Sequence, residues 1–370
     1  MNILVINWQD IKNPFGGGAE VHFHEIFKRI AAKGHQVTLL CCKDETLSDF
    51  EVIDGIQIIR KGSRNTFNFT VPKAYKELSN KFKYDIVIDD INKIPFYTPL
   101  YVKEPLLAIN HHFFGKSIFR EASFIAGLYV NLAEYLMKFI YFKTPFATVS
   151  QSTLDDFIAR GYDTSDFTII HNALSHDEYP MKIGEKNKEF TLTYFGRLKK
   201  YKSVDHLLRA FQIVNQNHPN SRLEIIGKGD YKPELEKLAK ELNIDKSITF
   251  HGFVDNKTKN ELLSKSHLVV NTSLKEGWGI TNIEANACGT PVFSANVPGL
   301  KDSVKENLSG LLYQYGNIDE MVNKINNLIT DNTLLHKLES GSLEWARQFS
   351  WDKSADEMLK KILEVIKKSK

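Results

Sequence analysis

The stretch HLVVNTSLKEGWGITNIEANACGTPVFSA, residues 267–295, holds one complete unit of strand, loop, helix and strand. The apolar runs at its two ends, HLVVNTS and PVFSA, predict buried strands because they are short and rich in Val and Phe. Between them, ITNIEANACG predicts a short helix that ends at Gly289. Two strands joined through a helix are typical of a parallel sheet.

The same alternation continues along the chain. NILVIN, QVTLLC, YDIVID, PLLAIN and PFATVS predict strands in the first half, and TLTYFG, RLEIIG and ITFHGFV continue the series after a polar, lysine-rich segment at 176–190. We therefore predict an α/β fold of two Rossmann-like, doubly wound domains, 1–178 and 188–350, which face each other across a cleft. A helix over 351–370 is predicted to pack back on the first domain.

Composition narrows the class of protein. The chain has 370 residues, 42% of them hydrophobic and 25% charged, with a net charge of +3. A charge this small excludes a typical nucleic-acid-binding protein. The three cysteines form no C-x-x-C pair, no metal site is legible, and the start MNILVINWQD lacks the basic region of a signal peptide. We expect a cytoplasmic enzyme.

The loop and helix of the opening stretch combine features that suit an anionic ligand. Backbone N–H groups at a helix N-terminus favour phosphate, and glycines allow it to approach the chain closely. Two carboxylates flank this helix start. The residues that we predict at the ligand are Glu276, Gly277, Gly279, Ile280, Thr281 and Glu284.

Glu284 has a second interpretation. Thr281-Asn282-Ile283-Glu284 matches the capping box, in which the glutamate only returns a hydrogen bond to the first residue of its own helix. Arg197 likewise has an alternative role, as a partner in an interdomain ion pair.

Two motifs resemble those of one enzyme family. EGWGITNIEANACGTPV (276–292) resembles the E-x7-E signature, and YFGRLKKYKSVDHLLRAF (194–211) the G-R-L-x-x-x-K pattern, of family 4 retaining glycosyltransferases with the GT-B fold. The resemblance implies that Glu276 contacts the transferred sugar and Glu284 the nucleotide ribose. It also implies that Arg197 and Lys202 stabilise the leaving diphosphate. Ser203 replaces the glycine that is usual after this lysine.

The resemblance extends to looser matches. It implies that the loop after RLEIIG lines the donor site, that the end of ITFHGFV meets the nucleotide base, and that a glycine-rich loop after the first strand borders the phosphates. It also implies that a histidine after PLLAIN faces the sugar, and His111 fits this role slightly better than His112. The residues concerned are Gly227, Gly229, Phe253, Val254, Gly17, Gly18, His111 and His112.

The segment 124–143 is unusually aromatic. Its polar residues Asn131, Glu134 and Lys138 recur on one helical face, which predicts an amphipathic helix. Either this helix packs its apolar face on the sheet, or it touches a membrane surface, since 116–143 carries a net +2. The second interpretation predicts peripheral contact with the inner face of the membrane through 116–143.

The function implied is transfer of a sugar from a UDP- or GDP-sugar to an acceptor hydroxyl, in surface polysaccharide or glycoconjugate synthesis. The acceptor would be a saccharide or a lipid-linked saccharide. We expect no cofactor and no required metal, because no acidic D-x-D triplet follows a strand as in metal-dependent transferases. The alternatives are a nucleotide-sugar epimerase, a phosphorylase, which is disfavoured because no pyridoxal-phosphate lysine is evident, and a non-catalytic nucleotide-sugar-binding protein.

Overall fold

A computed structural model describes residues 1–120 and 123–369, except the side chains of Lys116 and Arg120. The chain forms two compact units. Met1–Ala173 and the helix that begins at Trp351 form the first unit, and Leu174–Ser350 form the second. The break after Ala173 comes a few residues before the boundary at 178 that the sequence suggests.

The elements are numbered in chain order. The strands are β1 Asn2–Ile6, β2 Gln36–Lys43, β3 Phe50–Ile53, β4 Ile56–Ser63, β5 Ile86–Ile91, β6 Leu106–Asn110, β7 Phe146–Thr148, β8 Phe167–Ile169, β9 Thr191–Phe195, β10 Arg222–Ile226, β11 Ile248–Gly252, β12 Leu268–Asn271, β13 Val292–Ala295 and β14 Gly310–Tyr313. The α-helices are α1 Gly18–Ala32, α2 Phe67–Ser79, α3 Phe124–Ile140, α4 Gln151–Ala159, α5 Val204–Asn217, α6 Lys232–Glu241, α7 Asn256–Lys265, α8 Ile280–Ala287, α9 Ile318–Thr330, α10 Asn332–Ala346 and α11 Trp351–Lys368.

The sheet of the first unit has the order β3-β4-β2-β1-β5-β6-β7-β8 over the described part of the chain. All neighbouring strands are parallel except β3 and β4, which form a hairpin around Asp54 and Gly55. The central strand β1 is buried from Ile3 to Ile6, which agrees with its apolar run. Its neighbour β5 is buried along its whole length although it includes Asp89 and Asp90. The strand order reverses at β1 and β5, so the carboxyl ends of these two strands are where a ligand is expected.

The sheet of the second unit is parallel, with the order β11-β10-β9-β12-β13-β14. Numbered within the unit this is 3-2-1-4-5-6, the order of dinucleotide-binding domains. The order reverses at β9 and β12, so loops that follow these strands flank the expected binding crevice. The two sheets, one wholly parallel and one parallel except at β3, confirm the predicted α/β, Rossmann-like fold class.

The last helix, α11, packs against α1 in the first unit. Arg29 donates a hydrogen bond from Nε to Asp352 at 2.8 Å, and the rings of His22 and Trp351 lie 6.1 Å apart. The apolar side of α11 is buried, including Met358 and Ile362. The chain therefore returns to its first unit after completing the second.

Helix α3 is oriented with its polar face inward. The buried carboxylate of Glu134 accepts hydrogen bonds from the backbone N–H groups of Phe114 and Gly115. Asn131 donates from Nδ2 to the carbonyl oxygen of Gly115 at 3.1 Å. The inner side also holds Met137, which is buried among core residues of the first unit, whereas Ile125 and Leu132 are exposed. The helix therefore packs inward with Met137 and its polar face, and the interpretation that its main apolar face packs on the sheet is wrong. Lys116, Arg120 and Glu121, which contribute to the predicted charge of this region, lie outside the described side chains.

Candidate functional site

Two opposite charges lie together at the switch point of the second unit, the place between β9 and β12 where the strand order reverses. Lys202 ends the 3₁₀ turn Lys200–Lys202 after β9, and Glu276 lies in the loop after β12. The Lys202 ammonium donates a hydrogen bond to Oε1 of Glu276, and both side chains are largely buried. The structure thus joins the two motifs that are 74 positions apart in the sequence.

Two hydrogen bonds join the loop that carries Lys202 to the loop that carries Glu276. Thr272 donates from Oγ1 to the carbonyl oxygen of Lys202 at 2.8 Å. The N–H of Leu274 donates to the carbonyl oxygen of Tyr201 at 3.0 Å. Because both loops leave adjacent parallel strands at the same edge of the sheet, these bonds fix the position of the ion pair.

The environment of Lys202 keeps it charged. Burial, the largest influence, lowers the pKa of an amine, but the Glu276 carboxylate and the oxygens of Tyr201 and Tyr194 outweigh it and raise the pKa of Lys202 above its ordinary value. A fixed cation at this place can stabilise negative charge that develops on a bound ligand.

Ser203, directly after this lysine, has a left-handed backbone with φ 50° and ψ 39°. This region favours glycine, because a β-carbon is crowded there. The conformation explains why glycine is usual at this position in the family that the sequence resembles. The hydroxyl of Ser203 lies 2.8 Å from that of Tyr315, a hydrogen bond that glycine would lack.

Arg197 lies at the same edge of the sheet, two residues beyond the end of β9. Its side chain is exposed, while its carbonyl oxygen accepts a hydrogen bond from the hydroxyl of Tyr194 at 3.0 Å. The backbone is therefore anchored and the guanidinium extends from it. The direct ligand role and the alternative ion-pair role of Arg197 both stay predictions.

Gly227 and Gly229 belong to a loop that packs closely on the loop of Arg197. A β-carbon on Gly227 would lie 1.9 Å from the carbonyl oxygen of Gly196, and one on Gly229 would lie 1.8 Å from that of Leu198. Backbone cannot yield at such distances, and Gly227 also has φ 142°. Packing between the two loops accounts for both glycines, whether or not they contact a ligand.

The outlet of β11 lies beside this glycine loop. Phe253 is exposed, and the ammonium of Lys228 lies 5.2 Å from the centroid of its ring. Val254 is half-buried. An exposed aromatic ring at a strand outlet can stack on a nucleotide base. Contact of Phe253 or Val254 with the base stays a prediction.

Glu284 contacts two partners outside its own helix. Lys259 on α7 donates from Nζ to Oε1 of Glu284 at 2.7 Å, and Tyr179 donates from its hydroxyl to the same oxygen at 2.7 Å. Helix α8 begins at Ile280 after Gly279, so Thr281 lies inside the helix and does not cap it. The capping-box interpretation of Glu284 is therefore wrong.

The predicted amides at the start of α8 are only partly available. The N–H of Ile280 donates to the carbonyl oxygen of Trp278 at 3.0 Å. A β-carbon on Gly279 would lie 2.3 Å from Oγ of Ser303, so glycine is required here by packing within the unit. Anion binding through Gly279 and Thr281, and close approach of a ligand at Gly277, stay predictions.

In the first unit, the glycine-rich loop leads into α1. Gly17 precedes the helix, and its N–H donates to Oε2 of Glu20 at 2.6 Å. Gly18 begins the helix, and a β-carbon on it would meet nothing within 4 Å. Glu20 therefore caps α1, and space is open next to Gly18.

His111 and His112 follow β6. His111 is buried, and its Nε2 lies 2.8 Å from Oδ1 of Asp90. His112 is half-buried, with its ring 4.9 Å from that of Phe114. The His22 ring of α1 lies 5.1 Å from that of His111. Contact of either histidine with a sugar stays a prediction.

Burial shifts the protonation of this cluster. It lowers the pKa of His111 to about 4 and that of His22 to about 3, and it raises the pKa of Asp90 to about 7. At neutral pH both imidazoles are therefore uncharged. An uncharged His111 can still form one hydrogen bond with the Asp90 carboxyl group, at the 2.8 Å between Nε2 and Oδ1.

The low pKa of His22 makes folding sensitive to acid. An unfolded chain binds a proton at this histidine below about pH 6.5, whereas the folded chain does not, so stability falls as pH drops through this window. Between pH 7 and pH 5, protonation of His22 in the unfolded chain lowers the free energy of unfolding by about 2 kcal/mol. We expect His22→Leu to be about 2 kcal/mol less acid-sensitive than wild type over that range, measured by urea unfolding.

The groups that face His22 are His111, Asp90 and His171. They remain in the variant, which therefore lacks one imidazole together with its electrostatic coupling to His111 and Asp90. Identical pH dependence of wild type and variant would contradict the assignment.

The sequence does not reveal three residues of this geometry. Lys259 lies in NKTKNELLSK, which has the composition of a surface helix, and Tyr179 falls in the segment predicted as a linker. Asp90 is one of two adjacent acids at the end of a strand. Only the pairing of Asp90 with the outlet of β6 could have been inferred, because β5 and β6 are neighbours in the sheet.

In the part of the chain described, no helix has the length and apolar character needed to cross a bilayer. Over the same residues, no group of three or more His, Cys, Asp and Glu is arranged to hold a metal ion.

Two family models together span most of the chain. The model described as "Glycosyltransferase Family 4" matches residues 16–178, and the one described as "Glycosyl transferases group 1" matches residues 175–345. The chain is a family 4 glycosyltransferase. The two matches of the glycosyltransferase meet within 175–178, close to the break between the two units.

Relatives agree with this membership. The glycosyltransferase is 25% identical to an uncharacterised glycosyltransferase of Methanocaldococcus jannaschii, over 96% of each chain. It is 33% identical to the D-inositol 3-phosphate glycosyltransferase of Rhodococcus erythropolis, over 50% of this chain and 43% of that protein. The second alignment spans less than half of that relative.

Solved structures share the fold of the glycosyltransferase. Sucrose-phosphate synthase from Thermosynechococcus elongatus superposes with a TM-score of 0.81 at 20% identity, over 97% of each chain. HepE from Anabaena, solved in complex with UDP-glucose, superposes with a TM-score of 0.75 at 19% identity, over 100% of each chain. Together with the family models, these likenesses confirm the predicted GT-B fold type.

Proposed function

We propose that this glycosyltransferase moves a sugar from a nucleotide diphosphate sugar to an acceptor hydroxyl, with retention of configuration at the anomeric carbon. The observation that carries the proposal is the buried pair of Lys202 and Glu276 at the switch point of the second unit. Its ammonium suits a diphosphate and its carboxylate suits sugar hydroxyls. The UDP-glucose bound to HepE supports a UDP-sugar as donor, with a GDP-sugar as the alternative.

The proposed chemistry needs little from an acid or base. The acceptor oxygen attacks the anomeric carbon on the face from which the diphosphate leaves, so the new bond has the configuration of the broken one. The acceptor proton passes to the departing phosphate oxygen. Lys202 and Arg197, with the start of α8, stabilise the charge on the diphosphate, and Glu276 holds the sugar through its hydroxyls.

We also propose that transfer requires neither a metal nor a cofactor, since two cationic side chains are available for the leaving group.

Hydrogen bonds from Lys259 and Tyr179 both end on Oε1 of Glu284, an arrangement that orients Oε2 for the two ribose hydroxyls. The acceptor is proposed to be a saccharide or a lipid-linked saccharide in surface polysaccharide or glycoconjugate synthesis. A lipid-linked acceptor would be reached by an enzyme that is peripherally associated with the inner face of the membrane.

The proposal is tested with a panel of UDP-, GDP- and ADP-sugars. Slow hydrolysis of at least one member is expected, with undiminished rate in EDTA, and the anomeric configuration of a transferred product should equal that of the donor. Binding is measured for the same panel by calorimetry. If no member is bound or hydrolysed, the proposed donor class is wrong, and an inverted product would refute retention alone.

Glu284→Gln is expected to weaken binding of the nucleoside diphosphate by about 10- to 100-fold, because hydrogen bonds to a charged group contribute about 1.5–3 kcal/mol. The measurement is calorimetric affinity for UDP and GDP. Glu261→Gln, on the exposed side of α7, is the matched control and should leave affinity unchanged. Unchanged affinity in Glu284→Gln, with an unaltered melting temperature, would remove Glu284 from the site.

A further inference from the structure

Helix α3 presents an apolar stripe to solvent, which is the reverse of an ordinary surface helix. Its residues Ile125, Leu128, Leu132, Tyr135 and Phe139 are each between 51% and 80% exposed. They recur at intervals of three and four, so they share one face. We call these five residues the α3 stripe. It extends for about 21 Å along the helix.

The inner contacts of the helix explain why the stripe faces outward. Glu134 and Asn131, on the opposite face, are engaged with the backbone around Gly115. Arg160 lies 3.4 Å from the Glu134 carboxylate and supplies a partly buried positive partner. If the helix rotated to bury the stripe, Glu134 would lose its hydrogen bonds to the backbone and its ion pair with Arg160, and the backbone N–H groups near Gly115 would lose their acceptor.

Neighbouring side chains extend the apolar surface. Phe124 at the start of α3 and Phe142 just after its end are both exposed. Tyr129 accepts a hydrogen bond from Asn68 at 3.1 Å, which places the beginning of α2, with the exposed Phe69, next to α3. A contiguous apolar surface of this kind marks an interaction site in soluble proteins.

The exposed charges along α3 and just after it are positive, and the cavity that Lys143 lines beyond the helix holds four lysines against three acids. Glu134 is the only acid between residues 123 and 144, and it is buried. Lys143 is exposed at the end of the helix, with its ammonium 5.3 Å from the centroid of the Phe142 ring, and Lys138 is half-buried. An exposed apolar face without acids and with lysines at its edge complements an anionic lipid surface.

We propose that the α3 stripe docks the first unit onto an anionic membrane surface, with α3 lying in the plane of the interface. Tyr135 and Phe139 pack edge to face, 5.3 Å between centroids, and present a tyrosine hydroxyl beside an apolar ring. Such amphipathic aromatic side chains favour the boundary between headgroups and acyl chains. Docking requires no donor or acceptor, so it holds independently of the transfer reaction.

The test is co-sedimentation of the full-length protein with vesicles of phosphatidylcholine and phosphatidylglycerol. Wild type is expected to bind mixed vesicles, and to bind less to pure phosphatidylcholine or in high salt. The triple variant Ile125→Gln, Leu132→Gln, Phe139→Gln should bind at least about tenfold more weakly, because three apolar side chains no longer enter the bilayer. The matched control is Phe82→Gln, Ile158→Gln, which removes exposed apolar side chains elsewhere in the first unit.

Two further measurements keep the test decisive. Melting temperature and UDP affinity should be the same in the triple variant and wild type, which excludes misfolding as the cause of lost binding. Absence of vesicle binding in wild type, or equal binding by the triple variant, overturns the proposal. A wild type that is dimeric by light scattering, binds no vesicles and becomes monomeric in the triple variant would identify a second copy of the chain as the occupant.

Discussion

Glu276→Gln is expected to lower kcat/KM for sugar transfer by about 100- to 1,000-fold, as loss of one preorganised group aimed at a transition state does in other enzymes. The amide has the shape of the carboxylate but lacks its charge, so it cannot hold sugar hydroxyls as tightly or compensate Lys202. Affinity for the bare nucleotide should fall only modestly, because Glu276 is proposed to contact the sugar. The measurements are single-turnover transfer and calorimetric UDP binding.

The control for this experiment is Glu344→Gln, an exposed carboxylate of α10 in the same unit. It should transfer sugar at the wild-type rate. Transfer at the wild-type rate by Glu276→Gln itself, with UDP still bound, would show that the carboxylate does not act on the sugar. A large drop in melting temperature would instead assign the loss to the buried Lys202 left without its partner.

Lys202→Met should reduce transfer by a comparable or larger factor, about 1,000-fold, since it removes a fixed cation from the leaving group. It should also distinguish ligands. Affinity for UDP should fall by about 10- to 100-fold, while affinity for uridine, which has no phosphate, should change little. Parallel calorimetric titrations with the two ligands measure this difference.

Lys199→Met is the matched control for Lys202→Met, because Lys199 lies on the same loop but pairs with the exposed Asp230 at 2.7 Å. It should bind both ligands as wild type does. Equal losses of UDP and uridine affinity in Lys202→Met would mean that the lysine supports the loop and does not contact the diphosphate. In that case Lys202→Arg, which keeps the positive charge but changes the shape of the side chain, should also bind UDP more weakly than wild type does.

Much of the fold can be predicted from local patterns. Short apolar runs between amphipathic stretches specify parallel strands, and the order of a doubly wound sheet brings the outlets of β9 and β12 side by side. The meeting of Lys202 with Glu276 follows from that order. It could be expected from two separate motifs, because both motifs lie at carboxyl ends of strands.

The remaining features depend on tertiary contacts that leave no local pattern. Nothing in the sequence around Lys259 or Tyr179 indicates that both converge on Glu284. The periodicity of α3 identifies an apolar face and a polar face but not which of them packs inward. That choice depends on Glu134, whose partners are backbone groups near Gly115.

The start of α8 illustrates how a local motif can mislead. A capping box requires Thr281 to precede the first helical residue, yet the helix begins at Ile280. Packing of Gly279 against Ser303 fixes the entry of the chain without help from a capping side chain. Glu284 is consequently freed from its own helix end and points to partners on another helix.

The left-handed residue Ser203 has a consequence for the stability of this enzyme. A non-glycine residue held in that region costs about 1 kcal/mol or more, and the hydrogen bond between the hydroxyls of Ser203 and Tyr315 offsets this cost by about 0.5–1.5 kcal/mol. The strained backbone of Ser203, in the turn that carries Lys202, by itself lowers the free energy of unfolding of the chain. Because glycine adopts this conformation without strain, Ser203→Gly trades the hydrogen bond to Tyr315 for a relaxed backbone and leaves the shape of the loop that carries Lys202 unchanged.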